Sequence, residues 1–266
     1  MSIHKTFFQV DAFTAAPFKG NPAGVCLLER DMPKKWMQNV ATEMNLSETA
    51  FVTPENDHFR IRFFTPETEV PLCGHGTLSS AHVLYQTGIA VRDKKIRFES
   101  RAGELFGRKS GNWIILDFPS YGFEPMQIPD SAAKLIGIQP VELYRTSHGW
   151  TMVLLHNEED VRNLQPDFSR MKNSPFGDLI VTAPSEDTNF DFCVRCFAPA
   201  VGINEDPVTG SAHCALTPFW HKRTGRTEFF SRQVSQRSGI LKVAMKDNRV
   251  EIAGHAKTVL RGELLV

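Results

Sequence analysis

The chain has 266 residues, 41% hydrophobic and 23% charged, the make-up of a folded protein long enough for two ordinary domains. Lys plus Arg and Asp plus Glu each number 30, so the net charge is zero and nothing electrostatic favours a nucleic acid or an anionic membrane as partner. No run approaches the ~18 apolar residues of a membrane span. The opening Met1-Ser2-Ile3-His4-Lys5 is not a signal sequence, and five scattered cysteines suit a reducing cytoplasm better than a disulfide framework.

In chain order, Thr6–Val10 reads as a strand, and Gly20-Asn21-Pro22-Ala23-Gly24 as a turn before a second strand, Val25–Leu28. Asp31 is placed to cap a helix with Pro33 in its first turn. Trp36, Val40 and Met44 recur at helical spacing with Met37 and Ala41 beside them, and Asn45 is the expected stop. Short strands follow at 50–52, 59–64 and 96–99, and Trp113–Phe118 opens the second half. The proline-bearing stretch around 112–130 reads as an inter-domain linker.

The chain also echoes itself. Arg62-Phe63-Phe64-Thr65-Pro66 resembles Arg195-Cys196-Phe197-Ala198-Pro199 at an offset of 133 residues, half the chain length (195 − 62 = 133). Each segment precedes an acidic stretch, a glycine turn and a small-residue helix: Cys73-Gly74-His75-Gly76-Thr77 in one half, Asp206-Pro207-Val208-Thr209-Gly210-Ser211 in the other. That period is too long for a solenoid and predicts two equivalent domains, 1–114 and 115–266, with the last strand, about 250–266, free to return to the first. One helix-like segment per half among many strands predicts an α+β fold, not alternating βαβ units.

A helix N-terminus offers unpaired N–H groups and partial positive charge, and small residues let a carboxylate reach them. Two such turns converging on one cleft would hold a small carboxylate substrate without metal, and a proton shift would need carboxylates near it, for which Glu48 and Asp206 are the candidates. Cys73 with His75 is thinkable as a nucleophile pair, and a non-catalytic carboxylate-binding protein is a third reading. Cys193-Val194-Arg195-Cys196 spells C-x-x-C, but on a strand its thiols point to opposite faces, and Gly74–Ser79 misses the third glycine of a dinucleotide fingerprint. No cofactor and no metal are therefore expected.

At these positions the chain resembles the PhzF-like family, named for an isomerase of phenazine biosynthesis. The matching segments are Gln9–Thr14, Phe18–Ala23, Asn45–Phe51, Phe64–Gly76, Phe197–Pro199, Glu205–Ala212 and Ser235–Gly239. The resemblance implies a pseudo-symmetric fold like that of diaminopimelate epimerase, with two strand-rich barrels each around a central helix. It implies a cofactor-independent isomerase, with Glu48 as the proton-transfer carboxylate and His75, Asp206 and Ser211 as further catalytic groups. Gly74, Gly76, Thr77, Thr209, Gly210 and Cys73 would line the substrate. Related epimerases use one cysteine from each half; Cys73 stands at the first position, but Thr209-Gly210-Ser211 offers no thiol at the second, and Cys214 comes later. Ser238 stands where the family usually has glycine. The expected partner is a small carboxylate, with a homodimer compatible and neither nucleic acid nor membrane involved.

Overall fold

The computed structural model describes residues 5–92 and 94–266. Residues 1–4, within the opening segment read above for a signal sequence, lie outside the described residues. The chain divides into two compact units, residues 1–117 with 253–266, and residues 118–252.

The first unit carries β1 (Thr6–Ala12), β2 (Asn21–Leu27), α1 (Lys34–Met44), β3 (Glu48–Pro54), β4 (Phe59–Phe64), β5 (Glu69–Val70), α2 (Gly74–Gln86), β6 (Ile96–Ser100), β7 (Gly103–Ser110) and most of β8 (Trp113–Pro119). The second carries β9 (Phe123–Met126), α3 (Ala132–Ile136), β10 (Glu142–Thr146), β11 (Thr151–Leu154), α4 (Glu158–Arg162), α5 (Phe168–Met171), β12 (Leu179–Pro184), β13 (Phe192–Ala198), β14 (Ile203–Asp206), α6 (His213–Thr224), β15 (Glu228–Gln233), β16 (Gly239–Lys246) and β17 (Arg249–Gly254). The final strand, β18 (Ala256–Glu263), pairs antiparallel with β1.

The echo in the sequence becomes an echo in strand pairing. In the first unit β1–β2 is antiparallel, β2–β3 parallel, β3–β4 and β4–β5 antiparallel, β4–β6 parallel and β6–β7 antiparallel. In the second, β10–β11, β11–β12, β12–β13, β13–β14, β13–β15 and β15–β16 repeat that series in the same order and sense. Even the repeated arginine keeps its partner. Arg62 on β4 grips Glu69 on β5 through Nε at 2.8 Å and Nη2 at 3.1 Å, while Arg195 on β13 grips Glu205 on β14 at 2.7 and 3.0 Å. Each guanidinium also lies over the phenylalanine two residues on, Phe64 at 5.3 Å and Phe197 at 4.9 Å.

Each unit wraps its strands about one helix. α2 packs against β1, β2, β3, β7 and β18, and most of its residues are buried. Most of the helix has no solvated face, and two of its hydroxyls turn onto its own backbone: Thr77 Oγ1 donates to the Cys73 carbonyl and Ser80 Oγ to that of Gly76, each at 2.7 Å. In the second unit α6 sets Trp220 against Phe192 (5.4 Å) and Phe219 against Phe123 and Tyr144 (5.5 and 5.3 Å).

Several local expectations change. Asp31 does not cap α1; the Pro33 carbonyl accepts the first helical bonds, and Asp31 lies instead 3.6–3.7 Å from Arg60 and Arg62. Asn45 ends α1 as expected, in the left-handed conformation at φ 50°. The turn placed at Gly20–Gly24 is shorter, because β2 already begins at Asn21. Gly20 itself sits at φ +66°, with the Ala12 carbonyl only 2.1 Å from where a Cβ would be. The stretch around 112–130 holds two strands, β8 and β9, the latter paired with β10.

The second unit also contains a buried carboxylate. Glu158, 3% exposed, accepts from Arg162 Nε (2.8 Å), Arg232 Nη2 (2.8 Å), Ser185 Oγ (2.6 Å) and the Glu186 amide (3.1 Å). Burial opposes its ionisation, but these four donors outweigh it and hold the carboxyl at about 2. A depressed carboxyl stabilises the fold fully above its unfolded value near 4.5, and the stabilisation is lost as pH falls toward 2. Glu158→Gln is expected to cost about 3 kcal/mol at neutral pH. Urea unfolding at pH 7, 4.5 and 2.5 should show the gap between wild type and variant narrowing only at the lowest pH.

Candidate functional site

The first glycine turn builds a compact constellation. Cys73 is the N-cap of α2, in extended conformation, and its sulfur accepts from the Gly76 amide at 3.2 Å. Gly76 leaves the turn close-packed: a Cβ would stand 3.0 Å from that sulfur and 3.1 Å from the Phe63 ring, so either neighbour would have to give way. His75, in the first turn of α2 and only 8% exposed, points its ring back toward β3.

Glu48 is the first residue of β3, not a loop residue, in parallel register with Ala23 of β2. Its side chain is largely covered, and Oε2 lies 3.0 Å from His75 Nε2. That oxygen is buried and takes no aligned hydrogen bond. Ser47 fixes the approach: its hydroxyl donates to the Pro22 carbonyl at 3.2 Å and lies 3.4 Å from His75 Nε2. Cys73 Sγ sits 3.6 and 3.7 Å from the two imidazole nitrogens.

The electrostatics divide the roles. Burial raises the Glu48 carboxyl, but the His75 charge and hydrogen bonding from His75 and Ser47 outweigh it, leaving a net lowering. Burial disfavours a charged imidazole, yet the Cys73 sulfur as hydrogen-bond acceptor and the Glu48 carboxylate hold His75 well above its ordinary value. The pair is a carboxylate facing an imidazolium. Cys73 is pushed up, chiefly by burial, so its thiol is held protonated. A protonated, covered thiol is a poor nucleophile, which weighs against the Cys73–His75 alternative.

The second turn is organised differently. Asp206 Oδ2 accepts from Thr209 Oγ1 at 2.6 Å. The fully buried Gln233 on β15 clamps this turn from both ends: its Oε1 accepts from the Thr209 amide at 2.8 Å and its Nε2 donates to the Asp206 carbonyl at 2.6 Å. His213, at the start of α6, spans Thr209 O (3.0 Å) and Ser231 Oγ (2.8 Å), and burial drops its pKa to about 4, so it is a neutral strut. Ser238 adopts φ 58°, the left-handed region that favours glycine, and its hydroxyl donates to the Gln233 carbonyl at 2.8 Å.

Of the residues expected from sequence, the structure brings Glu48, Cys73 and His75 together in the first unit, and Asp206, Thr209 and Gly210 together in the second. Gly74 opens α2 beside His75. Ser211 is exposed and borders a depression walled by Tyr121, His148 and Trp150, the first two stacked at 4.7 Å. Thr77 is fully buried, with its hydroxyl engaged inside α2. Ser47 and Gln233 escaped the sequence reading. Ser47 was within the quoted Asn45–Phe51 segment, but Gln233 is 27 residues from Asp206 and carries no local signal. The strand C-x-x-C behaves as the period-2 argument requires: Cys193 joins the core with Leu179 and Phe197, while Cys196 lies on the side of Thr209 and Asp206.

The family model for phenazine biosynthesis-like proteins, PhzC-PhzF, matches residues 10–262. The chain belongs to this family. It is 46% identical over 262 residues to an uncharacterized isomerase of Halalkalibacterium halodurans, covering 97% of this chain and 98% of that one. A PhzF family structure from Enterococcus faecalis superposes with a TM-score of 0.95 at 40% identity, over 99% of this chain and 100% of the other. A hydroxyproline epimerase from Agrobacterium vitis, at 11% identity and a TM-score of 0.63 over 99% of this chain and 91% of that one, shares the fold alone. The protein is an isomerase of PhzF type, with the epimerase-like fold that the sequence resemblance implied. Among the described residues no helix is long and apolar enough to cross a membrane.

The site also predicts a chemical reactivity. Cys73 should react with iodoacetamide at pH 7 at least tenfold more slowly than free cysteine, since it is covered and protonated. Peptide mass spectrometry of briefly labelled native protein checks this, and fast labelling of Cys73 would restore the thiol reading.

Proposed function

We propose that this isomerase relocates a proton on a small carboxylate substrate by general acid–base catalysis, using its own side chains and no cofactor. The observation that carries the reading is the Glu48–His75 pair. Glu48 is a charged carboxylate that can take a proton from carbon, and His75, 3.0 Å away, is a protonated partner that can return one; their mutual attraction fixes these charge states while making each a weaker base or acid than it would be alone. One covered pair thus supplies both halves of a proton shift, and burial keeps competing water away.

Asp206, Thr209, Gly210 and Ser211 are proposed as further catalytic and substrate-binding groups, all carried by the second unit. Their rigid turn, clamped by Gln233, supports a fixed hydrogen-bonding role. Gly74 opens α2 and, with Gly76 leaving room beside it, places the positive end of the helix where a substrate carboxylate would be stabilised; the Gly76 amide itself is taken by the Cys73 sulfur. Five buried, unpaired cysteines support a reducing, cytoplasmic setting.

Screening small amino and hydroxy acids in deuterated water, read by NMR, should reveal exchange at a carbon α or γ to a carboxylate. A panel that shows binding but no exchange would favour a carboxylate-binding protein instead. On the substrate so found, Glu48→Gln should lower turnover roughly 10²–10⁴-fold while circular dichroism shows the fold retained. Asp206→Asn should also depress turnover if both turns serve one substrate. Near-normal turnover in Glu48→Gln would remove Glu48 from the mechanism.

A further inference from the structure

Glu48, Cys73 and His75 are also three chemically suitable ligands for a borderline-soft cation. One donor atom from each lies within 4.8 Å of the others, and among the described residues this is the one such group of histidine, cysteine and acidic side chains. Tetrahedral zinc, with bonds of about 2.0–2.3 Å, separates its donors by roughly 3.3–3.6 Å. Here Glu48 Oε2 and His75 Nε2 are 3.0 Å apart, and Cys73 Sγ and His75 Nε2 are 3.7 Å apart. Reaching that geometry requires the Glu48–His75 contact to open by a few tenths of an ångström and Cys73 and Glu48, within 4.8 Å of each other, to close on a common ion.

The charges also match. Thiolate and carboxylate together bring two negative charges to a divalent ion, against the roughly half positive charge of the α2 N-terminus. The buried Glu48 Oε2 meets His75 Nε2 at 3.0 Å without a hydrogen bond of good geometry, which leaves lone-pair capacity for a cation placed between them. Three protein ligands leave a fourth position for water, as in zinc sites that are not sealed.

We propose that Glu48, Cys73 and His75 form a zinc-binding site whose occupancy switches the isomerase off. On binding, the thiol proton and the imidazolium proton leave to solvent, and no electron is transferred. The cation then holds the carboxylate that would accept the substrate proton and the imidazole that would donate one. The site stands on its own geometry; the inhibition rests on the proton-transfer reading above.

The test uses the full-length protein and cobalt(II) chloride as a spectroscopic stand-in for zinc. One equivalent of cobalt should produce a near-ultraviolet thiolate-to-cobalt charge-transfer band, and zinc chloride should abolish it stoichiometrically. Cys73→Ser should lose the band, while Glu48→Gln and His75→Asn should each weaken cobalt binding at least tenfold, with circular dichroism confirming the fold of every variant. No band, or a band that survives in Cys73→Ser, would overturn the site. Substrate proton exchange measured on the wild type should fall at least tenfold with one equivalent of zinc and recover with a chelator. Exchange that persists in the zinc-loaded protein would overturn the inhibition while leaving the spectroscopic site intact. Exchange absent even in metal-free protein would count against the proton-transfer reading, with the cobalt band still deciding the site.

Discussion

A helix enclosed by strands on every side imposes the constraint from which the first unit follows. Its buried stretch from Gly76 to Ala81 therefore carries only small or apolar side chains, with the Thr77 and Ser80 hydroxyls bonded to carbonyls one turn back. Its N-terminal amides cannot be left to bulk water either. One is taken by the Cys73 sulfur. Polar groups at that end are held in place by the packing of the barrel, and the end of the enclosed helix becomes the place where charge can be managed with little freedom to relax.

Into this end β3 delivers Glu48. The parallel pairing of β3 with β2 sets Glu48 opposite Ala23, and Ser47 is anchored on Pro22, so the carboxylate is fixed from the strand side while His75 is fixed from the helix side. Neither element alone would charge the pair. Burial alone would neutralise both partners; close approach within the buried site charges them. The same closeness brings a third ligating atom, the Cys73 sulfur, to the pair, so the cluster we propose for proton transfer also has the make-up of a metal site.

The second unit reaches a comparable end by other contacts. Its strand series and its arginine–glutamate bridge match those of the first, so the scaffold is common to both. The turns on that scaffold have diverged. The first keeps an ionisable trio; the second has a hydroxyl–carboxylate pair locked by an amide side chain and a neutral, buried histidine.

Some of this was legible in the sequence because it is local. The period-3.6 pattern of Trp36 to Met44, the stop at Asn45, the opposed faces of Cys193 and Cys196, and the repeat at 133 residues are all short-range signals or direct comparisons. Glu48, His75, Cys73 and Asp206 were legible as residues within motifs. Tertiary structure alone decided that Glu48 begins a strand, that Asp31 meets Arg60 and Arg62 rather than capping α1, and that Gln233 braces a turn 27 residues away. The physical reason is that a hydrogen bond or ion pair depends on separation in space. Only the strand register, set by burying a whole face at once, converts distant positions into neighbours.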